Sequence, residues 1–439
     1  MFESNRKTMV VIGAGPKGLA TAVKAKVLEE FGLPVDRVIL IEKNKVAANW
    51  SGDFGYTNGE MKLGTSPEKD VVFPIETDVG DPILNQQIRH RLLQFTWTSF
   101  LVETNCFSDW VDRGRPAPCH LQWAGYLRWV SEKLEPQVKI LVGEVTAIDL
   151  NPTGTRWELQ LKNSHEKIEA DRLMLTGPGQ TRKDFLAEAK TQDLPSVFDL
   201  ESFWEAIKNN HFPSYGPIAI VGAGENAASA LLALSKYAPN LRVDIISPKG
   251  FISTRAENYY ENQFYSQPER HHWSALEIKD RIDFIERTDL GVFSVHAMNL
   301  LNEQVRHAII PGRVVGISHQ EENVEVKIKQ AQQISLRCYK TVILASGFDQ
   351  VATLKSYLSE RALEALKKAL GGPLIQKDLM MKIQNDLSVE GMTPSLHLPM
   401  LAGLSQGPGF TNLSCLGKLS DRIFLRASSE QRKKVSHES

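Results

Sequence analysis

Cysteine is scarce in this chain, with only 4 among 439 residues. No two of the four form a C-x-x-C pair, which excludes on local sequence a disulfide scaffold, a cysteine-based zinc site and a paired-cysteine redox centre. Neighbouring histidines and acids show no metal-ligand spacing either, so we expect no metal. Such cysteine usage fits a reducing compartment, and we expect a cytoplasmic protein. The four are Cys106, Cys119, Cys338 and Cys415.

An excess of one charge and a long hydrophobic run are also missing. Lys and Arg number 51 against 52 Asp and Glu, a net charge of −1, whereas a nucleic-acid binder needs a concentrated basic face. The most apolar stretch begins at Ile218 and is interrupted by Glu225, Asn226 and Lys236, whereas a membrane span needs about 20 continuous apolar residues. We therefore expect neither nucleic acid nor membrane as a partner.

The first glycine-rich motif lies between two short apolar runs. Residues 9–12 are apolar and stop at Gly13, and Pro16 suits the first turn of a helix because it needs no N–H there. A second apolar run, RVILI at 37–41, ends at Glu42. The motif between them reads GAGPKG and fits G-x-G-x-x-G. This pattern predicts a βαβ unit that binds a dinucleotide.

Each conspicuous position of this unit has a predicted role. Gly13 makes the tight turn, Gly15 lets a pyrophosphate approach the backbone, and Gly18 lets the helix pack closely on the strand. The phosphates then meet the helix N-terminus. Glu42 follows 24 residues after Gly18 and is placed to accept hydrogen bonds from ribose hydroxyls.

A second glycine-rich motif repeats the pattern about 200 residues later. An apolar run at 218–221 precedes GAGENA, a G-x-G-x-x-A motif, and a helical pattern follows it. Gly222, Gly224 and Asn226 are the predicted contacts to a second dinucleotide.

The strand after the second motif ends differently from the first. It ends at Ser247 rather than at an acid, so no carboxylate there would repel a 2′-phosphate, and Lys249 and Arg255 follow closely. This composition favours NADPH over NADH. The alternative is that the two basic side chains are simply solvated.

Two dinucleotide sites in one chain indicate a flavoprotein with FAD at the first site and a nicotinamide at the second. Since no cysteine pair can take the electrons, oxygen is the expected acceptor. We predict an α/β fold of two Rossmann-like domains with a small substrate-binding portion. The FAD domain spans 1–194 and returns at 336–425, with the strand Thr341–Leu344 belonging to that return. The NADPH domain is inserted at 195–335, and 426–439 is a disordered tail.

Several segments resemble the flavin-dependent N-hydroxylating monooxygenases, the lysine and ornithine N-hydroxylases of siderophore biosynthesis. The combination of SPEKDVVFP (66–74), DRGRPAP (112–118) and QGPGFTNLSCLG (406–417) is most similar to the mycobactin-type lysine N6-hydroxylases. The other matching segments are VVIGAGPKGLA (10–20), GAGENAAS (222–229), ENQF (261–264), LASGF (344–348) and LSDR (419–422).

The resemblance implies a reaction as well as a fold. NADPH reduces FAD, O2 forms a C4a-hydroperoxyflavin, and the terminal amine of L-lysine becomes N6-hydroxylysine for a hydroxamate siderophore. The flavin carries this chemistry, so no catalytic side chain is predicted. Ornithine, a diamine and an acylated or carrier-bound lysine stay open as substrates. An uncoupled NADPH oxidase and a non-catalytic flavin-binding protein are the alternatives from other classes. The resemblance also implies a homo-oligomer, a tetramer or dimer.

Site residues follow from the same resemblance. Lys69 matches the lysine that holds the substrate carboxylate, and Asn262 matches an asparagine that contacts substrate. Trp50 matches a tryptophan packed near the flavin, and Ser420 matches a serine at the far side of the substrate site.

The chain departs from the family pattern at Leu63-Gly64, where ornithine-type enzymes carry Met-Gln and the Gln contacts the flavin, so that this contact is lost or supplied elsewhere. Two further positions also depart from the pattern. His120 stands near the place where many members have an arginine that contacts the nicotinamide cofactor. Asp289 stands where ornithine enzymes have a substrate-contacting asparagine, and an acid there either meets the substrate ammonium or weakens the retention of NADP⁺. We count His120 with the cofactor contacts and Asp289 with the substrate contacts.

Overall fold

The computed structural model describes residues 6–183, 185, 196–213, 215–255, 258–304 and 307–426, without the side chains of 302–304. Its strands are β1 Thr8–Ile12, β2 Arg37–Glu42, β3 Lys139–Val142, β4 Val145–Leu150, β5 Trp157–Leu161, β6 Lys167–Ala170, β7 Arg172–Leu175, β8 Gln180–Thr181, β9 Val197–Asp199, β10 Ile218–Val221, β11 Val243–Ser247, β12 Ser253–Thr254, β13 Val292–Phe293, β14 His307–Pro311, β15 Arg313–Gln320, β16 Asn323–Gln330, β17 Gln333–Tyr339, β18 Thr341–Leu344, β19 Phe348–Asp349 and β20 Ser395–His397.

The helices, in chain order, are α1 Pro16–Glu30, α2 Pro82–Leu93, α3 Trp97–Glu103, α4 Phe107–Asp112, α5 His120–Glu132, α6 Leu200–Lys208, α7 Glu225–Tyr237, α8 Tyr259–Ser266, α9 Ile278–Thr288, α10 Val295–Gln304, α11 Gln350–Tyr357, α12 Glu360–Leu370, α13 Gln376–Met381, α14 Gly403–Gln406 and α15 Leu416–Asp421. In the part of the chain that the structure describes, no helix combines the length and apolarity that crossing a membrane requires.

The first sheet is parallel and has the strand order β20-β7-β1-β2-β3. Its central strand β1 is buried and pairs with β2, Val10 facing Ile39. Helix α1 links these two strands and is buried from Pro16 to Leu28. A parallel sheet covered by helices requires such near-continuous apolar runs. The first predicted βαβ unit is therefore confirmed.

The second sheet is also parallel, with the order β14-β11-β10-β18-β9. Strand β10 leads into the second glycine turn and α7, and β11 follows as expected. The expected return of Thr341–Leu344 to the first domain is wrong, because β18 pairs with β10, Ile218 facing Thr341. Its four residues are all buried in the second sheet. A short apolar run fits the centre of either sheet, so its letters do not tell which one it joins.

The two sheets have separate hydrophobic cores, one around α1 and the first sheet and two on the faces of the second. Three-stranded antiparallel sheets, β4-β5-β6 and β15-β16-β17, are added to these units. Two short connecting strands, β8 and β19, pair with each other in antiparallel fashion. The α/β class with two Rossmann-like units is thus confirmed. The expected boundary at 194/195 and the expected tail beyond 426 lie outside the described residues.

Candidate active site

A continuous groove runs from the carboxyl ends of the first sheet to the second glycine turn. It consists of a cavity of about 490 Å³, here the first cavity, and one of about 360 Å³, the second cavity. In open α/β sheets, ligands bind just outside the carboxyl ends of the strands, and this groove lies at that position. The residues that line both cavities are Gly13, Glu42, Asn49, Tyr56, Thr176, Gly177, Pro178 and Met400.

The first glycine turn leaves room for a ligand only where the motif predicts it. Gly13 has φ +108°, and a Cβ there would lie 2.1 Å from Thr176 Oγ1. A Cβ on Gly18 would lie 2.1 Å from the carbonyl oxygen of Gly13, so α1 packs directly on the turn. A Cβ on Gly15 would meet no protein atom within 4 Å. This open backbone beside a helix N-terminus fits the pyrophosphate of FAD.

Glu42 is oriented by the same turn. Its carboxylate accepts hydrogen bonds from the backbone N–H of Ala14 at 2.9 Å and of Asn44 at 3.3 Å. It faces both cavities. The carboxylate is therefore fixed at the point where a ribose would join the pyrophosphate.

The second glycine turn has the same construction. Gly222 has φ +116°, and a Cβ there would lie 2.2 Å from the carbonyl oxygen of Ala345, whereas Gly224 faces open space. Asn226, in the first turn of α7, lines the second cavity. Backbone that only glycine allows, followed by a helix N-terminus open to the groove, fits the pyrophosphate of a second dinucleotide such as NADPH.

The two predicted basic contacts of that nucleotide have different positions. Arg255 lines the second cavity, and its Nη2 lies 2.8 Å from Asp289 Oδ1. Lys249 donates to the carbonyl oxygens of Glu286, at 2.5 Å, and Leu290, at 3.4 Å, at the end of α9. It lines neither cavity. The ammonium of Lys249 thus caps a helix, as cations near a C-terminus do, and the structure does not bring it to the groove.

Lys69 and Asn262, which are 193 residues apart in the chain, are in contact. The ammonium of Lys69 donates to Asn262 Oδ1 at 2.6 Å. Neither residue lines the two cavities, but the loop of Lys69 continues from the cavity-lining residues 63–65. The structure therefore brings together the two residues that the resemblance assigns to substrate.

The neighbouring Asp70 anchors that loop. Its carboxylate is buried and accepts from the backbone N–H of Val72, at 3.1 Å, and of Trp97, at 2.9 Å, where α3 begins. Burial raises the pKa of Asp70 to about 7, although these hydrogen bonds act to lower it. The chemistry-bearing Lys69 is thus carried on a loop that is tied to the protein core one residue later.

Ser420 does not join this site. Its side chain is 1% exposed, its hydroxyl donates to the carbonyl oxygen of Gly417 at 2.9 Å, and it lines neither cavity. The short helix α15 packs against α1, which turns Ser420 into the interior.

Trp50 and His120 form an aromatic pair on the wall of the second cavity. Their rings meet edge to face, with centroids 4.9 Å apart. His120 Nδ1 lies 2.9 Å from Thr57 Oγ1. Burial lowers the pKa of His120 to about 4, so the ring is uncharged near neutral pH. His120 therefore cannot supply the positive charge of the arginine that it replaces.

This buried histidine makes stability depend on pH. An unfolded chain protonates a histidine near pH 6.5, whereas folded His120 resists protonation down to about 4, so stability is lost as pH falls between these values. The shift corresponds to about 3 kcal/mol in the free energy of unfolding. We expect His120→Asn to remove this contribution and to leave that of the other buried histidine, His397, measured by urea unfolding at several pH values. An unchanged slope in the variant would contradict the assignment.

The sequence analysis missed three groups of the second cavity. They are Lys17 in the first glycine motif, Glu225 in the second, and the segment 411–414. Glu225 accepts from the backbone N–H of Ser294 at 2.7 Å and from its hydroxyl at 2.8 Å. The motif patterns specify glycines and leave the intervening positions open, so they do not mark Lys17 or Glu225 as cavity residues. Within the described residues, no cluster of His, Cys, Asp and Glu is suited to hold a metal ion.

Two glycine turns that open into one groove, on two Rossmann-like sheets and without a cysteine pair, define a flavoprotein that takes two dinucleotides. A family model described as L-lysine 6-monooxygenase/L-ornithine 5-monooxygenase matches residues 88–350. The L-lysine N6-monooxygenase MbtG of Mycolicibacterium paratuberculosis is 39% identical over 423 residues, 95% of this chain and 94% of that protein. MbtG of Mycobacterium tuberculosis H37Rv is 38% identical with the same coverage.

Solved structures agree with this result. The lysine monooxygenase NbtG from Nocardia farcinica, solved in a study of its NADPH domain conformation, is 38% identical with a TM-score of 0.83, over 95% of this chain and 100% of that one. The ornithine N-hydroxylase KtzI of Kutzneria, solved with reduced FAD, NADP⁺ and L-ornithine, shares the fold at 18% identity and a TM-score of 0.73, over 98% and 100%. This chain belongs to the L-lysine 6-monooxygenase/L-ornithine 5-monooxygenase family. The expectations of a flavin-dependent amine monooxygenase with FAD and NADPH are confirmed.

Proposed function

We propose that this chain hydroxylates the terminal amine of L-lysine with FAD, NADPH and O2, giving N6-hydroxylysine for a hydroxamate siderophore. The observation that carries the proposal is the Lys69–Asn262 contact beside the groove, in a chain closely similar to lysine N6-monooxygenases. Lys69 provides an ammonium for the α-carboxylate of a free amino acid, and Asn262 orients that ammonium.

We assign the two cofactors to the two glycine turns of the groove. FAD would be held at Gly13 and Gly15, where Gly18 lets α1 pack on the turn, with Glu42 on its ribose and Trp50 beside the flavin. A reduced flavin bound there would activate O2, from which the oxygen atom transferred to the amine would come. The chain's own task is to position the amine, to exclude water and to hold the two nucleotides in place relative to each other.

NADPH would be held at the second turn. Gly222, Gly224 and Asn226 would receive its pyrophosphate, and Arg255 would supply a cation for its 2′-phosphate. The Arg255–Asp289 ion pair changes the role of Asp289, because the carboxylate of Asp289 points at the guanidinium of Arg255, which balances its charge. We assign Asp289 to the orientation of Arg255 instead of to the substrate ammonium.

The substrate amine must lose a proton before it reacts. An unperturbed lysine has a pKa of about 10.4, so neutralising it at pH 7 costs about 4.6 kcal/mol. A desolvating site lowers that pKa without a dedicated base. The ring of His120 is uncharged and the indole of Trp50 is apolar, so neither adds a negative charge that would hold the amine protonated.

A substrate panel tests the proposal. We expect hydroxylamine formation with L-lysine to exceed that with L-ornithine, cadaverine, putrescine and N6-acetyl-lysine, with FAD, NADPH and O2 present and H2O2 counted in parallel. One methylene separates lysine from ornithine and is worth only about 1–3 kcal/mol, so a 10- to 200-fold preference is the expected range. NADPH consumption that yields only H2O2 with every amine would overturn the proposal in favour of an NADPH oxidase.

Assembly and location are part of the same proposal. We expect a homodimer or homotetramer in the cytoplasm, where NADPH and free lysine are available. Light scattering after size-exclusion chromatography measures the oligomeric state, and fractionation of cells that make the protein measures its location. A monomer at micromolar concentration would contradict the expected assembly.

A further inference from the structure

Lys17 is a buried cation on the wall of the second cavity. It lies in the first turn of α1, its side chain is 9% exposed, and its Nζ donates to the carbonyl oxygen of Thr411 at 3.0 Å. An ammonium has three N–H donors, and this carbonyl accepts one of them. The partner that the structure gives Lys17 is thus a backbone oxygen, which carries no net charge.

A second buried lysine of the same helix shows the contrast. Lys24, with 2% of its side chain exposed, is paired with the carboxylate of Asp421 at 2.5 Å and lines neither cavity. Burying a charge without a counter-charge is costly, so proteins usually pair it as Lys24 is paired. Among the residues that the structure describes, no carboxylate forms an ion pair with Lys17, which lines the second cavity instead.

Lys17 shares a cavity with the two aromatic residues of the groove wall. Gly13 lines both cavities, whereas Gly15 and Lys17 line only the second, together with Trp50 and His120. Burial lowers the pKa of Lys17 to about 8, opposed by Cys415 and Asp289, so the amine is still mostly protonated at pH 7. A cation is therefore present next to the aromatic end of the groove.

We propose that Lys17 stabilises the negative charge that bound FAD acquires on reduction. This inference rests on the proposed function only in placing FAD in the groove. Hydride transfer moves two electrons and one proton from NADPH, so FAD and NADPH give anionic FADH⁻ and NADP⁺. Charge near the flavin ring is one of the means by which a protein tunes its electronics.

The test is the two-electron midpoint potential of the FAD-loaded protein, measured by reductive titration with a reference dye in the absence of NADPH and amine. Lys17→Met keeps the length and burial of the side chain and removes the charge. We expect the preference for reduced FAD to fall at least tenfold, which lowers the potential by about 30 mV. Lys17→Gln serves as the second variant if the Met protein does not fold.

An unchanged potential would overturn the proposal, and an accompanying rise in the FAD dissociation constant would assign Lys17 to the pyrophosphate. The matched control is the double variant Lys24→Met with Asp421→Asn, which removes the ion pair between Lys24 of the same helix and Asp421 of α15, away from the cavity. Its potential is expected to equal that of the parent, and a shift as large as that of Lys17→Met would also overturn the proposal. Because no amine is present, failure of lysine hydroxylation leaves this result intact.

Discussion

Lys69→Met is expected to raise the KM for L-lysine about 10- to 100-fold, with a much smaller change in kcat. The reason is the loss of a charge-assisted hydrogen bond to the substrate carboxylate, worth about 1.5–3 kcal/mol, and each 1.4 kcal/mol is a factor of ten. The contact of Lys69 with Asn262 at 2.6 Å shows that its ammonium is already oriented. Initial rates of hydroxylamine formation over a range of lysine concentrations provide both constants.

Cadaverine separates a carboxylate contact from general damage to the loop. It has the chain length and the amine of lysine but no carboxylate, so its KM is expected to change little in Lys69→Met. Lys45→Met, which alters a lysine paired with Asp53, is the control and should leave both KM values as they are. Equal losses with lysine and cadaverine would refute the carboxylate assignment.

Gly15→Ala and Gly224→Ala are expected to abolish the binding of one cofactor each while the protein stays folded. A Cβ at either position meets no protein atom within 4 Å, so the fold has room for it. That room is the space in which we place the pyrophosphates. A misplacement of about 1 Å at such a contact can cost on the order of 100-fold.

The two variants should differ in which cofactor is lost. Gly15→Ala is expected to purify without bound flavin, and Gly224→Ala to keep its flavin but to need far more NADPH for reduction. Absorbance of the purified proteins and the NADPH dependence of flavin reduction measure these effects. Gly372→Ala, at another glycine with no atom within 4 Å, is the control for the substitution itself. Retention of flavin by Gly15→Ala would place FAD elsewhere.

Local chemistry explains what the sequence predicts well. The two glycine turns depend on backbone conformation and on contacts within a few residues, and both motifs are built as expected around Gly13 and Gly222. Glu42 likewise lies at the end of the strand that it terminates. Such features are readable because the residues that determine them are neighbours in the chain.

Side-chain direction and sheet membership are determined by distant partners and are less readable. Lys249 caps α9, Ser420 faces the interior, and β18 joins the second sheet. In each case the neighbouring residues in the sequence do not indicate this outcome. Lys17 belongs here too, because a lysine inside a glycine motif gives no sign of whether it faces water or the groove. The resemblance assigns Lys69 and Asn262 separately to the substrate, and their contact is new in the structure, since no local pattern joins residues 193 apart.

The pairing of β8 with β19 has a consequence for how the second sheet is attached. Thr181 lies opposite Phe348, and the backbone N–H of Arg182 donates to the carbonyl oxygen of Gly347 at 2.9 Å. The chain thus leaves the first unit through β8 and re-enters it through β19, and these two strands lie side by side. The segment between them therefore begins and ends at neighbouring points of the structure. A short turn that joined residue 181 directly to residue 348 would give a continuous first unit without the second sheet. The first glycine turn, to which we assign FAD, would remain in that shortened chain.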